Sequence, residues 1–272
     1  MTEVTSGYLH GTSDAEQARL ARLNLSLNEL SLRELQLNAG DRVIDFGCGP
    51  GQLTRAMAKA VGPDGFVVGF DGSAEQIGPA LAPAGGEPPE FDARLGPVEA
   101  PPYRDGERGS FDVAHARFVL EHVAAPLRVV QEMVQAVRPG GRIVIQDDDH
   151  AALRMWPEPC GFAPLWESYI LVTARNQNDP FVGRRLPALL HAAGAVPTRV
   201  TGIFYGGAGG TSVLASVVEN VIGLFDGVRD RLLHVSGLTG AEYDRSIANF
   251  RAWSGRADAS MWYQFHWAEG IR

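Results

Sequence analysis

The stretch Arg42-Val43-Ile44-Asp45-Phe46-Gly47-Cys48-Gly49-Pro50-Gly51 constrains this chain more than any other. A short run of β-branched and aromatic residues leads into a loop with glycine at alternate positions, and a helical pattern from Gln52 to Val61 starts at once. Gly62-Pro63-Asp64-Gly65 then reads as a turn, and Phe66 to Phe70 as a second strand that ends at Asp71. Strand, glycine loop, helix and strand in that order form the front half of a βαβ unit.

The alternation continues. Residues 79–109 are rich in Pro and Gly, with one short strand expected near Phe91–Leu95. Phe111 to Ala116 is the next strand, and Pro126 suits the first turn of a helix with a buried face of Leu127, Val130, Met133, Val134 and Val137. Pro139-Gly140-Gly141 ends that helix, and Arg142 to Gln146 is a further strand. Strands and helices in turn predict a doubly wound, mostly parallel sheet with helices on both faces, an α/β fold.

Outside this core the pattern is more helical. Ser13-Asp14-Ala15-Glu16 has capping-box spacing, and Leu20, Leu23, Leu27 and Leu30 predict helix over roughly 14–36. After His150, helices are expected at 164–177, 181–194, 211–234 and 240–253. Strands are expected at Arg199–Tyr205 and Met261–Ala268, with a flexible break over Gly206–Gly210.

Composition narrows the function classes. A formal net charge of −8 disfavours binding along a phosphate backbone, so nucleic acid is not an expected partner. No uncharged apolar run approaches the roughly 18 residues of a membrane span. The N-terminal stretch lacks the apolar segment of a secretory signal, and only Cys48 and Cys160 are present, which fits a cytoplasmic setting.

A glycine loop between strand and helix lets a ligand approach backbone N–H groups with no Cβ in the way. Dinucleotides and S-adenosylmethionine both use such loops. The dinucleotide fingerprint needs a small residue at its third glycine position, where this chain has Gln52. Asp45, two residues before the first glycine, suits an ammonium and a sulfonium better than a pyrophosphate. Asp71, at the end of the second strand, is placed to grip two ribose hydroxyls.

Val43 to Gly51 resembles the first motif of class I, Rossmann-like, S-adenosylmethionine-dependent methyltransferases. Ser110 to Val123 is similar to that family's fourth-strand motif, and Arg138 to Ile145 resembles its Pro-Gly-Gly turn into the fifth strand. Asp179–Pro187 and Trp267–Gly270 look like segments of small-molecule methyltransferases from natural-product pathways. The resemblance implies a seven-stranded sheet with the last strand antiparallel. It implies a helical lid over residues 1–36, a cofactor-binding core over 37–150, and substrate-side helices with the last two strands of the same sheet over 151–272. Gly47, Gly49 and Gly51 would pass under the methionine moiety, Asp71 would bind ribose, and Gly72 and Gln76 would border adenine. Arg117 and Phe118 would offer backbone to the methionine end. Cys48, Gln52, Tyr8 and His122 complete the expected cofactor side. One departure stands out: Pro97 occupies the position where the family often has an adenine-reading Asp, leaving that task to Val98 or Glu99. Tyr8 and His10 on the lid, with Trp166 and Tyr169, are expected at the substrate.

Two histidines are candidates for proton transfer, His122 after the fourth-strand motif and His150 at the tip of the fifth strand. Each has a plainer reading: His122 as a packing or capping residue, and Asp147-Asp148-Asp149-His150 as a solvated loop rather than a divalent-metal site. Cys48 reads as packing and His115 as structural. The expected activity is methyl transfer to a small, fairly apolar organic molecule, with S-adenosylhomocysteine as product and no metal. A protein that keeps the cofactor without transferring methyl, such as a cyclase or binding module, is the alternative. A nicotinamide-dependent oxidoreductase fits less well because of Gln52. The long C-terminal helices suit a homodimer.

Overall fold

A computed structural model describes residues 27–81, 90–176 and 178–272. They divide into two compact units. A sheet unit comprises the described residues up to Asp147, together with Val182–Thr201 and His266–Arg272, and a helical unit comprises Asp148–Phe181 and Gly202–Phe265.

The sheet unit starts with helix α1, residues 27–35. Its strands are β1 (Arg42–Phe46), β2 (Phe66–Asp71), β3 (Asp92–Leu95), β4 (Phe111–Arg117), β5 (Val137–Asp147), most of β7 (Val196–Phe204) and most of β10 (Gln264–Ile271). They form a seven-stranded sheet in the order β3-β2-β1-β4-β5-β10-β7. β1 pairs in parallel with β2 and β4, β2 with β3, and β4 with β5, while β10 runs antiparallel to β5. This is the expected class: mostly parallel, with the last strand reversed. Because four crossovers return each strand in the same direction, the residues after β1, β2, β3, β4 and β5 all emerge on one edge of the sheet.

The near-continuous apolar character of β1, β2 and β4 reflects a sheet covered on both faces. Helix α2 (Gln52–Val61) buries Leu53, Thr54, Met57 and Val61, a single stripe at helical spacing. Helix α4 (Pro126–Ala136) has Pro126 in its first turn and packs Val129, Val130, Met133 and Val134 into a core with Phe111, Ile143 and Ile145. Two members of its expected face differ. Leu127 is 36% exposed, one residue round the helix from the stripe, and Val137 already opens β5. The Pro-Gly-Gly segment lies inside β5, where a register shift between Phe111 and Val113 absorbs residues 138–141. Helix α3 (Ala74–Leu81) was not expected, because Pro79 and the neighbouring glycines mask its pattern. Helix α6 (Leu186–Ala192) follows a short 3-10 turn, Val182–Arg185.

The helical unit holds α5 (Phe162–Arg175), α7 (Ser212–Gly227), α8 (Arg229–Ser236) and α9 (Gly240–Trp253). The expected helix 211–234 is therefore two helices that meet at Val228, whose φ of −127° lies outside the helical range. Thr239 caps α9 in a capping box with Glu242. Strands β6 (Arg154–Trp156), β8 (Gly207–Ala208) and β9 (Ser260–Trp262) form a small sheet in the order β6-β9-β8. The expected strand Met261–Ala268 is accordingly split, β9 serving this small sheet and β10 the large one. β8 also occupies part of the expected glycine break. No described helix is long and apolar enough to cross a membrane.

Candidate functional site

The three glycines of the loop after β1 have positive φ, at +69°, +52° and +75° for Gly47, Gly49 and Gly51. They differ in what they face. A Cβ on Gly47 would lie 2.5 Å from Val119 Cγ2, and one on Gly51 would lie 2.5 Å from Phe91 Cζ. A Cβ on Gly49 would meet none of the described residues within 4 Å. Gly47 and Gly51 are thus needed for packing under the loop, and Gly49 is the one of the three that faces no described residue.

Asp71 ties this loop to the end of β2. Its Oδ2 accepts the Gly49 N–H at 3.0 Å, and its Oδ1 accepts the Ser73 N–H at 2.9 Å. Burial raises its carboxyl pKa, against the lowering by these backbone donors. The Gly72 N–H adds a third lowering contact from the backbone. Gly72 follows, and a Cβ there would come 3.7 Å from Pro97 Cα, so Pro97 and Gly72 are neighbours. The Gly96 N–H donates to Asp71 O at 2.9 Å, which fixes the Gly96–Pro97 segment beside β2. Gln76 is buried on α3, with its N–H donated to Ser73 Oγ at 3.2 Å. Val98 packs against the sheet core, and Glu99 is half-buried. At the start of α2, Gln52 Oε1 is buried with no hydrogen-bond partner among the described residues.

Asp45 sits behind the loop rather than at its open face. It is 3% exposed; its Oδ2 accepts the Thr54 hydroxyl at 2.6 Å, and its Oδ1 lies 2.8 Å from His115 Nδ1. The pairing of β1 with β4 puts Asp45 directly opposite His115, which explains the contact across 70 residues of sequence. Cys48 is half-buried: burial first, then the Asp45 and Asp71 charges, push its thiol far above the ordinary range, so it remains protonated.

At the ends of β4 and β5, Arg117 turns its guanidinium towards α1, to Asn28 Oδ1 at 2.8 Å and Ser31 Oγ at 3.2 Å. Burial lowers its pKa to about 10, opposed by the charge of Asp45. Ser31 also donates to Gln146 Oε1 at 2.8 Å. Phe118 has a φ of +55°, uncommon for a side chain of that size, and its N–H donates to Gln146 O at 3.0 Å. His122 lies in a 3-10 turn, Leu120–His122, with Nε2 3.4 Å from Glu121 Oε1.

The run Asp147–His150 is not a solvated loop. Asp147 is fully buried, and its Oδ2 accepts the N–H groups of Val119 at 3.2 Å and Leu120 at 2.8 Å. Asp149 is buried as the cap of a short 3-10 turn, accepting the Ala151 N–H at 3.0 Å. These local carboxylate-to-amide bonds compensate for the loss of water. His150 is likewise buried in the helical unit, with its ring against Trp166 and Tyr169. Tyr8 and His10 lie outside the described residues.

The sheet unit therefore gathers the glycines, Gln52, Asp71, Gly72, Gln76 and Pro97, and the helical unit gathers His150, Trp166 and Tyr169. Thr54, Ser73, His115, Asp148 and Tyr263 were not singled out as site residues in the sequence. Ser73 could have been found, as an Asx-type partner two residues after Asp71. The others depend on contacts distant in sequence.

Comparison with known proteins matches this geometry. A family model described as a methyltransferase domain fits residues 15–197. The chain is 33% identical over 115 residues to a demethylmenaquinone methyltransferase of Lactobacillus johnsonii, covering 42% of this chain and 46% of that protein. It is 32% identical over 156 residues to a 27-O-demethylrifamycin SV methyltransferase of Amycolatopsis mediterranei, covering 56% and 53% respectively. The chain spans about half the length of the curated relatives it matches. Among solved structures, a putative methyltransferase from Bacillus halodurans superposes with a TM-score of 0.57 at 15% identity, over 89% of this chain and 97% of that one.

Proposed function

Because this chain belongs to the methyltransferase-domain family, we propose that it binds S-adenosylmethionine on the glycine loop and transfers the methyl group to a small, fairly apolar organic acceptor. The observation that carries this reading is the face at Gly49, clear of every other described residue and held beside the Asp71 carboxylate by the 3.0 Å bond between them. A backbone without Cβ allows close approach of a ligand chain, and the Asp71 carboxylate at the end of β2 suits ribose hydroxyls. The buried, unpartnered Oε1 of Gln52 suits a donor such as an ammonium, and would be a poor neighbour for a pyrophosphate. Gly72, Gln76, Pro97, Val98 and Glu99 cluster at the ends of β2 and β3, where adenine would be bordered by backbone and apolar surface instead of the family's usual Asp.

When bound, S-adenosylmethionine would supply an electrophilic methyl group, to be taken in line by the acceptor with S-adenosylhomocysteine as the leaving group. The work of the protein is then proximity, orientation and exclusion of water. Asp45, engaged by Thr54 and His115, fixes the floor of the loop and places negative charge beneath it. Arg117 and Gln146 are engaged by α1, which stiffens the edge at the ends of β4 and β5.

The finer reading is an acceptor from a natural-product pathway, supported by the 27-O-demethylrifamycin SV methyltransferase relative. A cytoplasmic setting is supported by two unpaired cysteines. Calorimetric titration with S-adenosylmethionine, S-adenosylhomocysteine and NAD tests the central claim. Micromolar binding of both sulfur compounds, weakened at least about tenfold by Asp71→Ala, is the expected result. Absence of both, or tighter binding of NAD, would refute it.

A further inference from the structure

The small sheet of the helical unit turns an aromatic face outwards. Its register pairs Arg154 with Trp262, and both Trp156 and Ala208 with Ser260, while Met155 pairs with Met261. Side chains alternate along a strand, so Arg154, Trp156, Ala208, Ser260 and Trp262 share one face and the two methionines the other. The methionine face is the inner one, with Met261 buried. On the outer face Trp156 is 74% exposed and Trp262 62% exposed. Phe204 extends that face: its ring meets the Trp262 ring edge-on at 5.6 Å, and it is 49% exposed.

The other three tryptophans of the chain, Trp166, Trp253 and Trp267, are buried, and each donates its indole N–H to a protein oxygen. Large rings left together on one exposed face mark an interaction surface. Charge narrows the partner. β6 reads Arg-Met-Trp, β8 Gly-Ala and β9 Ser-Met-Trp, so the three strands carry one cation and no acid. Arg154 Nη1 donates to Ala151 O at 2.6 Å and Leu153 O at 2.7 Å, which anchors the side chain. Its charge meets no carboxylate among the described residues. In a two-fold dimer this face would meet its own copy, which again offers Arg154 no acid. Charge complementarity therefore points to an anionic surface of a different kind. Side-chain type narrows it further, because indole joins an apolar ring to a polar N–H and concentrates where bilayer hydrocarbon meets water.

We propose that this face docks on an anionic phospholipid surface, with Trp156, Trp262 and Phe204 at headgroup depth and the Arg154 guanidinium on a lipid phosphate. Three rings on one face of a short sheet form an anchor in the interface, not a span. The formal net charge of −8 opposes approach at long range, but physiological salt screens charges beyond about 8 Å. What the face itself carries then decides the contact. The inference goes beyond methyl transfer and does not rest on it. It bears on that reading in one respect: a small apolar acceptor partitions into the same bilayer, so docking raises its concentration around the protein.

The test is flotation of the full chain, at about 0.15 M salt, with vesicles of phosphatidylcholine alone and of equal parts phosphatidylcholine and phosphatidylglycerol. The wild type is expected to bind the anionic vesicles about fivefold more tightly than the neutral ones, the effect of one arginine at such a surface. Arg154→Gln should reduce that preference below about twofold, and Arg154→Lys should keep it. Changing Trp156→Ala and Trp262→Ala together should weaken binding to anionic vesicles at least about tenfold. Both tryptophans are exposed, so the double variant should keep the wild-type Tm to within about 2 °C. Tryptophan emission should shift to the blue on vesicles in the wild type and not in the double variant. No binding to either vesicle, equal binding to both, or binding that survives the double change would overturn the proposal. A wild-type dimer in solution that the double variant turns into monomer would overturn it in favour of a contact between copies. Affinity for S-adenosylhomocysteine, measured without vesicles, reports separately on the cofactor. Its absence with vesicle binding intact would refute the cofactor reading and leave this one standing.

Discussion

Alanine at Gly49 and at Gly51 should separate binding from stability, although the two substitutions look alike on paper. Both positions have positive φ, so each variant bears the strain of a left-handed L-residue, about 1 kcal/mol. At Gly51 the new methyl would also sit 2.5 Å from Phe91 Cζ, 3.0 Å from Phe91 Cε1 and 3.2 Å from Ala80 Cβ. The first of these is well inside contact distance, and Phe91 is only 5% exposed, so its ring has little room to withdraw. Overpacking of this kind costs about 1–3 kcal/mol, which makes about 3 kcal/mol in total. For a chain of this size that is a fall in Tm of roughly 6–12 °C. At Gly49 none of the described residues lies within 4 Å of the new methyl, so the stability cost remains about 1 kcal/mol, or roughly 2–4 °C. The Gly49 methyl, however, projects into the space assigned to the ligand, and affinity for S-adenosylhomocysteine should fall more than about tenfold. Thermal unfolding and calorimetry on the two variants settle the matter. A Gly49→Ala protein that binds like wild type, or that is less stable than Gly51→Ala, would refute the division of labour drawn for this loop.

Other outcomes follow from individual side chains. His150 takes up its proton near pH 4 when folded and near 6.5 when unfolded, so its contribution is complete above 6.5 and is lost as pH falls towards 4. Urea unfolding of wild type and His150→Phe should therefore differ in pH slope across that window, by up to about 3 kcal/mol; parallel slopes would contradict the burial of a neutral imidazole. The native protein should release one thiol equivalent to a disulfide reagent at pH 8, from exposed Cys160, while Cys48 reacts only on unfolding. Rapid reaction of both would show that Cys48 is accessible. Arg94 is bidentate to Glu107 at 2.6 and 2.7 Å and reaches Asp92 at 2.7 Å; Asp92 keeps Arg104, so Arg94→Met strands the buried Glu107 carboxylate and should cost about 3–5 kcal/mol in chemical denaturation. A loss below about 1 kcal/mol would mean that the cluster is open to water.

Much of this molecule is written locally. The run from Arg42 to Asp71 contains strand, glycine loop, helix and strand in contiguous sequence, so its fold and its ligand chemistry could be read together. The alternation of strand and helix likewise fixed a mostly parallel sheet, since parallel neighbours require crossovers of helix length. The glycines and Asp71 were legible because the roles expected of them rest on their own backbone or on a neighbour at the adjoining strand end.

Tertiary structure decided the rest. Asp45 reads as a ligand carboxylate until β4 pairs beside β1 and supplies His115, 70 positions away. Met261–Ala268 reads as one strand, because alternation cannot show that a chain leaves one sheet at Tyr263 and enters another. The acidic run before His150 reads as solvated, because sequence does not reveal that Val119, Leu120 and Ala151 bring amide groups to it. Sequence alone determined which elements form and what class of cofactor the loop can cradle, since periodicity and backbone freedom are short-range properties. Which polar groups are spent on one another, and which keep a lone pair for a ligand, depended on pairings across the chain that only folding brings within hydrogen-bond reach.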